Sequence, residues 1–269
     1  PFAISNSECQ LISASGCEPD RDEQLDRRLF ARGFPRVLGA LQRIEQAVVV
    51  GLASLGVFDD LALDVLKADA IILSHIHEDH WDPAARYLVP RDMTIFTQDE
   101  KDAAKVREDG FTDVRVLTED GLEFNGTRLI KTLGKHGSNH FFAVPQVAAI
   151  LGDVMGIVFL RPNHPTAYVA GDTIWNKNVE DALAAYEPDV VFLNTGYAQI
   201  NGFDGSIIMG KDDVARAYRF SPKASIVGVH MESVNHAMLT RKELRDFIDE
   251  QKLDKRRVLV PNDGQSYRF

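Results

Sequence analysis

Residues 68–83 read "ADAIILSHIHEDHWDP", and the abrupt change of chemistry within them decides what fold the chain needs. Ala70-Ile71-Ile72-Leu73 is short, apolar and rich in branched side chains, as in a strand buried on both faces. Three histidines, an aspartate and a glutamate then crowd into residues 75–80. Buried polar groups cost roughly several kcal/mol unless they find partners, so something must collect these side chains. In extended backbone, residues two apart share a face, which points His75 and His77 the same way. A turn after them would swing Asp79 and His80 toward the same place. Imidazole nitrogens and carboxylate oxygens are donors for zinc, manganese or iron, and both are in ligating form near pH 7. An exposed cluster would explain one histidine at a strand end, but not four ligand-type residues in H-x-H-x-D-H.

Outward from this stretch the chain alternates strands and helices. Strands are expected at 93–98, 113–118, 189–195 and 224–230, and helices at 100–109, 178–186 and 211–220. Asn125-Gly126 between "LEF" and "TRLIKTL" is a tight hairpin signal, and "RPNHP" joins 155–160 to 166–171 in a second hairpin. Thr240 and Glu243 form a capping box opening the helix "RKELRDFIDEQ", and "RVLVPNDGQSYRF" supplies a last short strand and a turn. Before the motif, residues 20–46 carry leucines, valine and isoleucine at helical spacing among charges, with Pro35 as a break or kink. Hairpins followed by strand–helix alternation indicate a mixed α/β domain. Residues 1–269 are expected to form a single domain.

Composition narrows the function. The 269 residues are 45% hydrophobic with a net charge of -10, which suits a globular chain and disfavours nonspecific binding to nucleic acid or anionic membrane. The longest apolar run, 47–58, is too short to span a bilayer, and no secretory signal is visible at the start. A cytoplasmic location is expected. Cys9 and Cys17 make no disulfide framework or four-cysteine zinc module, and whether they pair is open. The expected partner is a small-molecule substrate, with a homo-oligomer left open.

Further donors stand just past other strands, where open α/β sheets place function. His136 follows "TRLIKTL", Asp172 follows "AYVA" in "AGDT", and His230 closes "SIVGVH". His136 is favoured over His140, four residues further from its strand, and His230 over His236, which lies in a loop before the Thr240 cap. His236, Lys135 and Asn194 are candidates for contact with substrate, with Arg241 as a further cation. Glu78 is expected to face solvent, Trp81 to pack, and His164 to serve a turn.

The order H-x-H-x-D-H, His, Asp, His, each in its strand context, resembles the metallo-β-lactamase superfamily. "DAIILSHIHEDHWD", "YVAGDTIW", "VGVHMESVNH" and "VLVPNDGQ" are most similar to its L-ascorbate-6-phosphate lactonase-like branch, over residues 65–269. The resemblance implies a four-layer αββα sandwich with two divalent ions, zinc or manganese foremost and iron as an option. It puts His75, His77 and His136 on one ion, Asp79, His80 and His230 on the other, and Asp172 on both. It implies a hydrolase in which a metal-activated hydroxide attacks a small ester, such as a lactone or phosphorylated sugar lactone, with Asp79 handling the proton. A phosphodiesterase or nuclease, and a non-hydrolytic iron-binding redox protein, are the alternatives. Residues 1–60 depart from the family pattern: they look helical and charged, without the usual opening β meander and its "DP" turn.

Overall fold

The computed structural model describes residues 68–269 other than 233, 235 and 264, together with the strand backbones at 2–5, 10–13 and 47–50. The described strands form two seven-stranded sheets. The first contains β1 (Phe2–Ser5), β2 (Gln10–Ser13), β3 (Ala47–Val50), β4 (Ala70–Ile72), β5 (Thr94–Thr97), β6 (Val114–Val116) and the chain's last strand, β14 (Ser266–Arg268). Their order is β14-β2-β1-β3-β4-β5-β6. The second sheet contains β7 (Leu122–Phe124), β8 (Thr127–Leu133), β9 (Met155–Leu160), β10 (Ala167–Val169), β11 (Val190–Asn194), β12 (Ser225–Val229) and β13 (Val258–Leu259). These run in the order β13-β12-β11-β10-β9-β8-β7.

Period-two alternation sorts side chains to the two faces of each strand. Ala70, Ile72 and Phe96 from the first sheet pack with Leu129, Ile157, Phe159, Val169, Phe192, Val227 and Val229 from the second. Ile71 and Ile95 turn the other way and meet Trp81, Ala85 and Val106, from or beside α1 (Pro83–Leu88) and α2 (Glu100–Glu108). On the far side, Val158, Tyr168, Val191, Leu193 and Ile226 pack against apolar residues of α5 (Lys177–Tyr186), α6 (Lys211–Phe220) and α7 (Arg241–Glu250). Each fully buried aliphatic or aromatic side chain is worth about 1.5–3 kcal/mol, so both faces of β4 and β5 and of the second sheet's central strands are committed to packing. The result is the expected αββα layering.

Local signals behave as read. Asn125 and Gly126 both adopt positive φ, at 50° and 77°, as a type I′ hairpin between antiparallel β7 and β8 requires. Thr240 and Glu243 make the reciprocal capping box of α7.

The opening of the chain corrects the sequence reading. Residues 1–60 are not simply helical: β1 pairs antiparallel with both β2 and β3, and β3 runs parallel to β4. The last residues also form more than a turn, since β14 pairs with β2. These four-residue or shorter segments draw their pairing from distant partners, and such short runs show little periodicity. The expected helix at 20–46 and the kink at Pro35 lie outside the described residues. Three short helices escaped the sequence reading: α1, α3 (Asn139–Phe142) and α4 (Pro145–Leu151).

Candidate metal centre

The exits of four strands meet at one edge of the two sheets. β4 leads into the H-x-H-x-D-H stretch. There the amides of His80 and Trp81 both donate to the His77 carbonyl, at 3.0 and 2.8 Å, which makes the turn that brings Asp79 and His80 across. β8 leads to His136, β10 to Asp172 and β12 to His230. A backbone bond from Met155 N to Ser74 O, 3.2 Å, ties the two sheets together beside this edge.

Seven side chains converge there in two groups: His75, His77 and His136, and Asp79, His80, Asp172 and His230, with one donor atom from each within 4.8 Å of its fellows. In the first, His75 Nε2 lies 3.0 Å from His77 Nδ1. In the second, His80 Nε2 and His230 Nε2 face each other at 3.2 Å. Asp172 Oδ2 lies 3.1 Å from His80 Nε2 and 3.6 Å from His230 Nε2. It also lies 3.9 Å from His75 Nε2, which joins the groups. Asp79 Oδ2 is 3.5 Å from His230 Nε2.

Ring nitrogens turned away from the centre are held from outside. His77 Nε2 bonds the Ile150 carbonyl at 2.8 Å, in the last turn of α4, where helix carbonyls lack internal partners. His136 Nδ1 bonds the Ile207 carbonyl at 3.0 Å. A backbone carbonyl can only accept, so each of these nitrogens carries the proton and the opposite nitrogen is left with its lone pair toward the centre. His75 Nδ1 sits 3.0 Å from Ser74 Oγ. This is how histidine ligands of metals are oriented. Thr173 Oγ1 accepts from Lys135 N at 2.8 Å, and Ile174 N donates to Lys135 O at 2.9 Å. These bonds clamp the loop of His136 to that of Asp172.

The electrostatics fit the same picture. Burial drives His136 down to about 4, and burial together with the neighbouring His80 holds His75 well below its ordinary value, which favours in both the neutral imidazole, the form that can ligate a metal. Burial alone would lower His230, but Asp172 and Asp79 outweigh it and hold it up at about 9. Burial would likewise raise Asp172 and Asp79. The charges of His230 and His80 and the hydrogen bond from His80 outweigh it at Asp172, and the hydrogen bond from His230 and the charge of His80 do so at Asp79. Both carboxyls therefore sit well below the usual range. Two buried carboxylates drawing on one proton is the field that a divalent cation would satisfy, and the donor set, imidazole and carboxylate without sulfur, fits such an ion.

Backbone geometry is unusual at this edge. His230 has φ +59°, a left-handed conformation that a side-chain-bearing residue holds only when its surroundings enforce it. Gly196, at the neighbouring exit of β11, packs so closely on His230 that a Cβ there would stand 2.3 Å from the His230 carbonyl oxygen.

The remaining expected residues fall elsewhere. Glu78 is exposed and Trp81 is buried in the outer layer. His140 is exposed on α3, its ring near Phe141 and Phe203. His236 is half-buried before α7, where its carbonyl accepts from Gln199 N at 3.1 Å, and neither donor group includes it. The Lys135 amine bonds Asn139. Arg241 is held by Glu232 and Asp263. Asn194, expected to face substrate, lies instead behind the centre, 5% exposed, its amide donating to Asp172 Oδ1. Ser74 and the carbonyls of Ile150 and Ile207 were not foreseen. Backbone carbonyls leave no mark in a sequence, and a serine before a histidine is too common to signal anything.

No family model matches the chain. It is 39% identical over 228 residues to the UPF0173 protein YddR of Bacillus subtilis (strain 168), which spans 85% of this chain and 86% of that protein. Among solved structures it is similar to an isothiocyanate hydrolase from Delia radicum gut bacteria, with 48% identity and a TM-score of 0.74 over 77% of this chain and 79% of that one. A possible metal-dependent hydrolase from Veillonella parvula DSM 2008 is 42% identical, with a TM-score of 0.75 over the same shares. The metallo-beta-lactamase fold protein YhfI from Bacillus subtilis, at 16% identity, aligns with a TM-score of 0.58 over 88% of this chain and 95% of that one, a likeness of fold alone. The fold is that of the metallo-β-lactamases.

Proposed function

The chain belongs to the UPF0173 family, and on that premise we propose that it is a metal-dependent hydrolase acting on a small, uncharged electrophile. The observation that carries the reading is the convergence of seven donors in two groups, with the outward nitrogens of His77 and His136 tied to backbone carbonyls. His75, His77 and His136 would hold one divalent ion and Asp79, His80 and His230 a second, with Asp172 between them, zinc or manganese being the ions suited to these donors. Such ions would make water a nucleophile near neutral pH and polarise the electrophile. The chain's own part is to orient the donors and move the proton. Asp79, held ionised, can accept the proton of the attacking water and return it to the leaving atom.

Two observations bear on the substrate. Arg241, foreseen as a cation for an anionic group, is engaged by two carboxylates, and Lys135, whose ammonium bonds Asn139, is left as the single foreseen cation without a carboxylate partner among the described residues. That weakens support for a phosphorylated lactone. The 48% identical structure is an isothiocyanate hydrolase, and an isothiocyanate is small, uncharged and electrophilic at its central carbon. Water adding across C=N, then cleavage of the C–N bond, yields an amine and carbonyl sulfide, the water's protons ending on nitrogen. Isothiocyanates are therefore the leading class, and an unphosphorylated lactone or small ester is second, on the branch resemblance of the sequence. The test is a panel of aryl and alkyl isothiocyanates, lactones and bis(p-nitrophenyl) phosphate, with chelated protein and with each metal restored. Metal-dependent release of amine supports the reading, and cleavage of the phosphodiester alone refutes it.

A further inference from the structure

β10, β11 and β12 are consecutive parallel strands. The outer two lead to Asp172 and His230, while the middle one ends at Asn194, an amide between two donor-bearing strands. Asn194 pairs in register with Val229, directly before His230. Its Nδ2 donates to Asp172 Oδ1, while its own Oδ1 is buried with no hydrogen-bond partner among the described residues. A buried amide oxygen left unpaired costs about 1–3 kcal/mol. Flipping the amide would not help, because a carboxylate oxygen has no hydrogen to give. The side chain thus keeps an unfavourable oxygen in order to present its N–H to Asp172. The other carboxylate oxygen, Asp172 Oδ2, is the one that reaches both groups: His80 at 3.1 Å, His230 at 3.6 Å and His75 at 3.9 Å.

We propose that Asn194 is a positioning residue for Asp172: its amide occupies Oδ1, so that Oδ2 alone faces both groups of donors. This rests on the metal reading above. Asn194 makes no contact with substrate in this account. It acts through the orientation of one carboxylate, from the strand between the two that carry the donors.

The test reads metal rather than turnover. Asn194→Leu removes the donor and the unpaired oxygen with the same number of side-chain heavy atoms, and Asn194→Asp, titrated at a pH where its carboxyl is ionised, keeps the shape while replacing the donor with an acceptor. Leu193→Ala is the control: it loosens the same strand on its opposite, helix-covered face. Each protein is loaded with cobalt(II) for its absorption spectrum and titrated with zinc against a competing chelator, with circular dichroism and thermal melting alongside. Both Asn194 variants are expected to fold, to show an altered cobalt spectrum, and to lose roughly ten- to a hundredfold in affinity for at least one ion, the range seen for outer-shell partners. Leu193→Ala is expected to melt earlier with its zinc affinity and cobalt spectrum unchanged. Parental affinity and spectrum in Asn194→Asp overturn the proposal, and that variant decides alone should Asn194→Leu fail to fold. An equal loss of affinity in Leu193→Ala also overturns it, since looseness of the strand end would then suffice. A parent that takes up no metal overturns the metal reading itself, an outcome distinct from a parent and variants that bind metal equally.

Discussion

Gly196→Ala is the smallest substitution that should separate the two donor groups. A Cβ at this position would meet the His230 carbonyl oxygen at 2.3 Å and Ala237 Cβ at 3.0 Å, whereas ordinary contact begins at 3.4 Å. Neither obstacle is the tip of a flexible side chain. The Gly196 carbonyl accepts from both Met238 N and Leu239 N, at 2.8 and 2.9 Å, and Thr195 N is bonded to Val229 O at 2.8 Å, so position 196 cannot retreat cheaply. The His230 backbone must give way by about 1 Å, a displacement that near a reacting centre can cost about a hundredfold in rate. Its left-handed φ leaves little room to absorb that shift. Overpacking of this kind costs about 1–3 kcal/mol, and at this size each kcal/mol lowers the melting midpoint by roughly 2–4 °C. The expected protein is folded, melts earlier, retains metal at His75, His77 and His136, and holds one equivalent fewer than the parent by elemental analysis. Parental metal content together with parental turnover would refute the assignment of His230 to the centre.

Asp79→Asn should leave the melting temperature near that of the parent and lower kcat by about 10²–10⁴; an unchanged kcat at full metal occupancy removes Asp79 from proton transfer. Chelation should abolish turnover and lower the melting midpoint, and added zinc or manganese should restore both, because an ion that binds only the folded state stabilises it by mass action; indifference of the midpoint to metal contradicts the centre. Burial pushes the Tyr168 phenol up from 10.0 to about 12. The folded state then holds that proton more tightly than the unfolded chain, so its contribution is complete below pH 10 and is lost as pH rises toward about 12. Denaturant midpoints should fall through that window in the parent and less so in Tyr168→Phe; equal slopes in the two proteins would show that Tyr168 is not the group responsible.

How much of this could be read without coordinates depends on the distance over which each feature is encoded. H-x-H-x-D-H is legible because four donors lie within one turn and one strand end. His136, Asp172 and His230 are legible because each directly follows a hydrophobic strand, whereas His140, past that point, falls in neither donor group. In the first sheet β4, β5 and β6 were read, but β1, β2, β3 and β14 were poorly legible for the opposite reason. β1 and β2 have four residues each, and β14 pairs with a strand more than 250 positions away, between Arg268 and Gln10. No local pattern announces such a partner. Asn194 was noticed because it ends a strand, yet its neighbour could not be known, and the residue read as facing substrate proves to face a carboxylate. The close approach of Gly196 to His230 is likewise a property of two strands, not of either sequence.

The first donor group also depends on a layer that contributes no donors to it. Phe141, Val147, Leu151, Ala198, Ile207 and Ile208 form a separate apolar cluster, with Phe142, Val144, Ile200 and Phe203 packed against it. The two carbonyls that orient His77 and His136 come from residues of these segments, Ile150 in α4 and Ile207 in the loop after β11. Apolar packing therefore fixes the position of two polar atoms, and those atoms fix the tautomers of two histidines. Cavities in apolar clusters are only partly closed by relaxation, so the carbonyls would shift with any loss of volume here. A substitution such as Val147→Ala would then reach His77 through the end of α4, without any change to a donor. The packing of this cluster and the orientation of His77 and His136 are therefore physically linked.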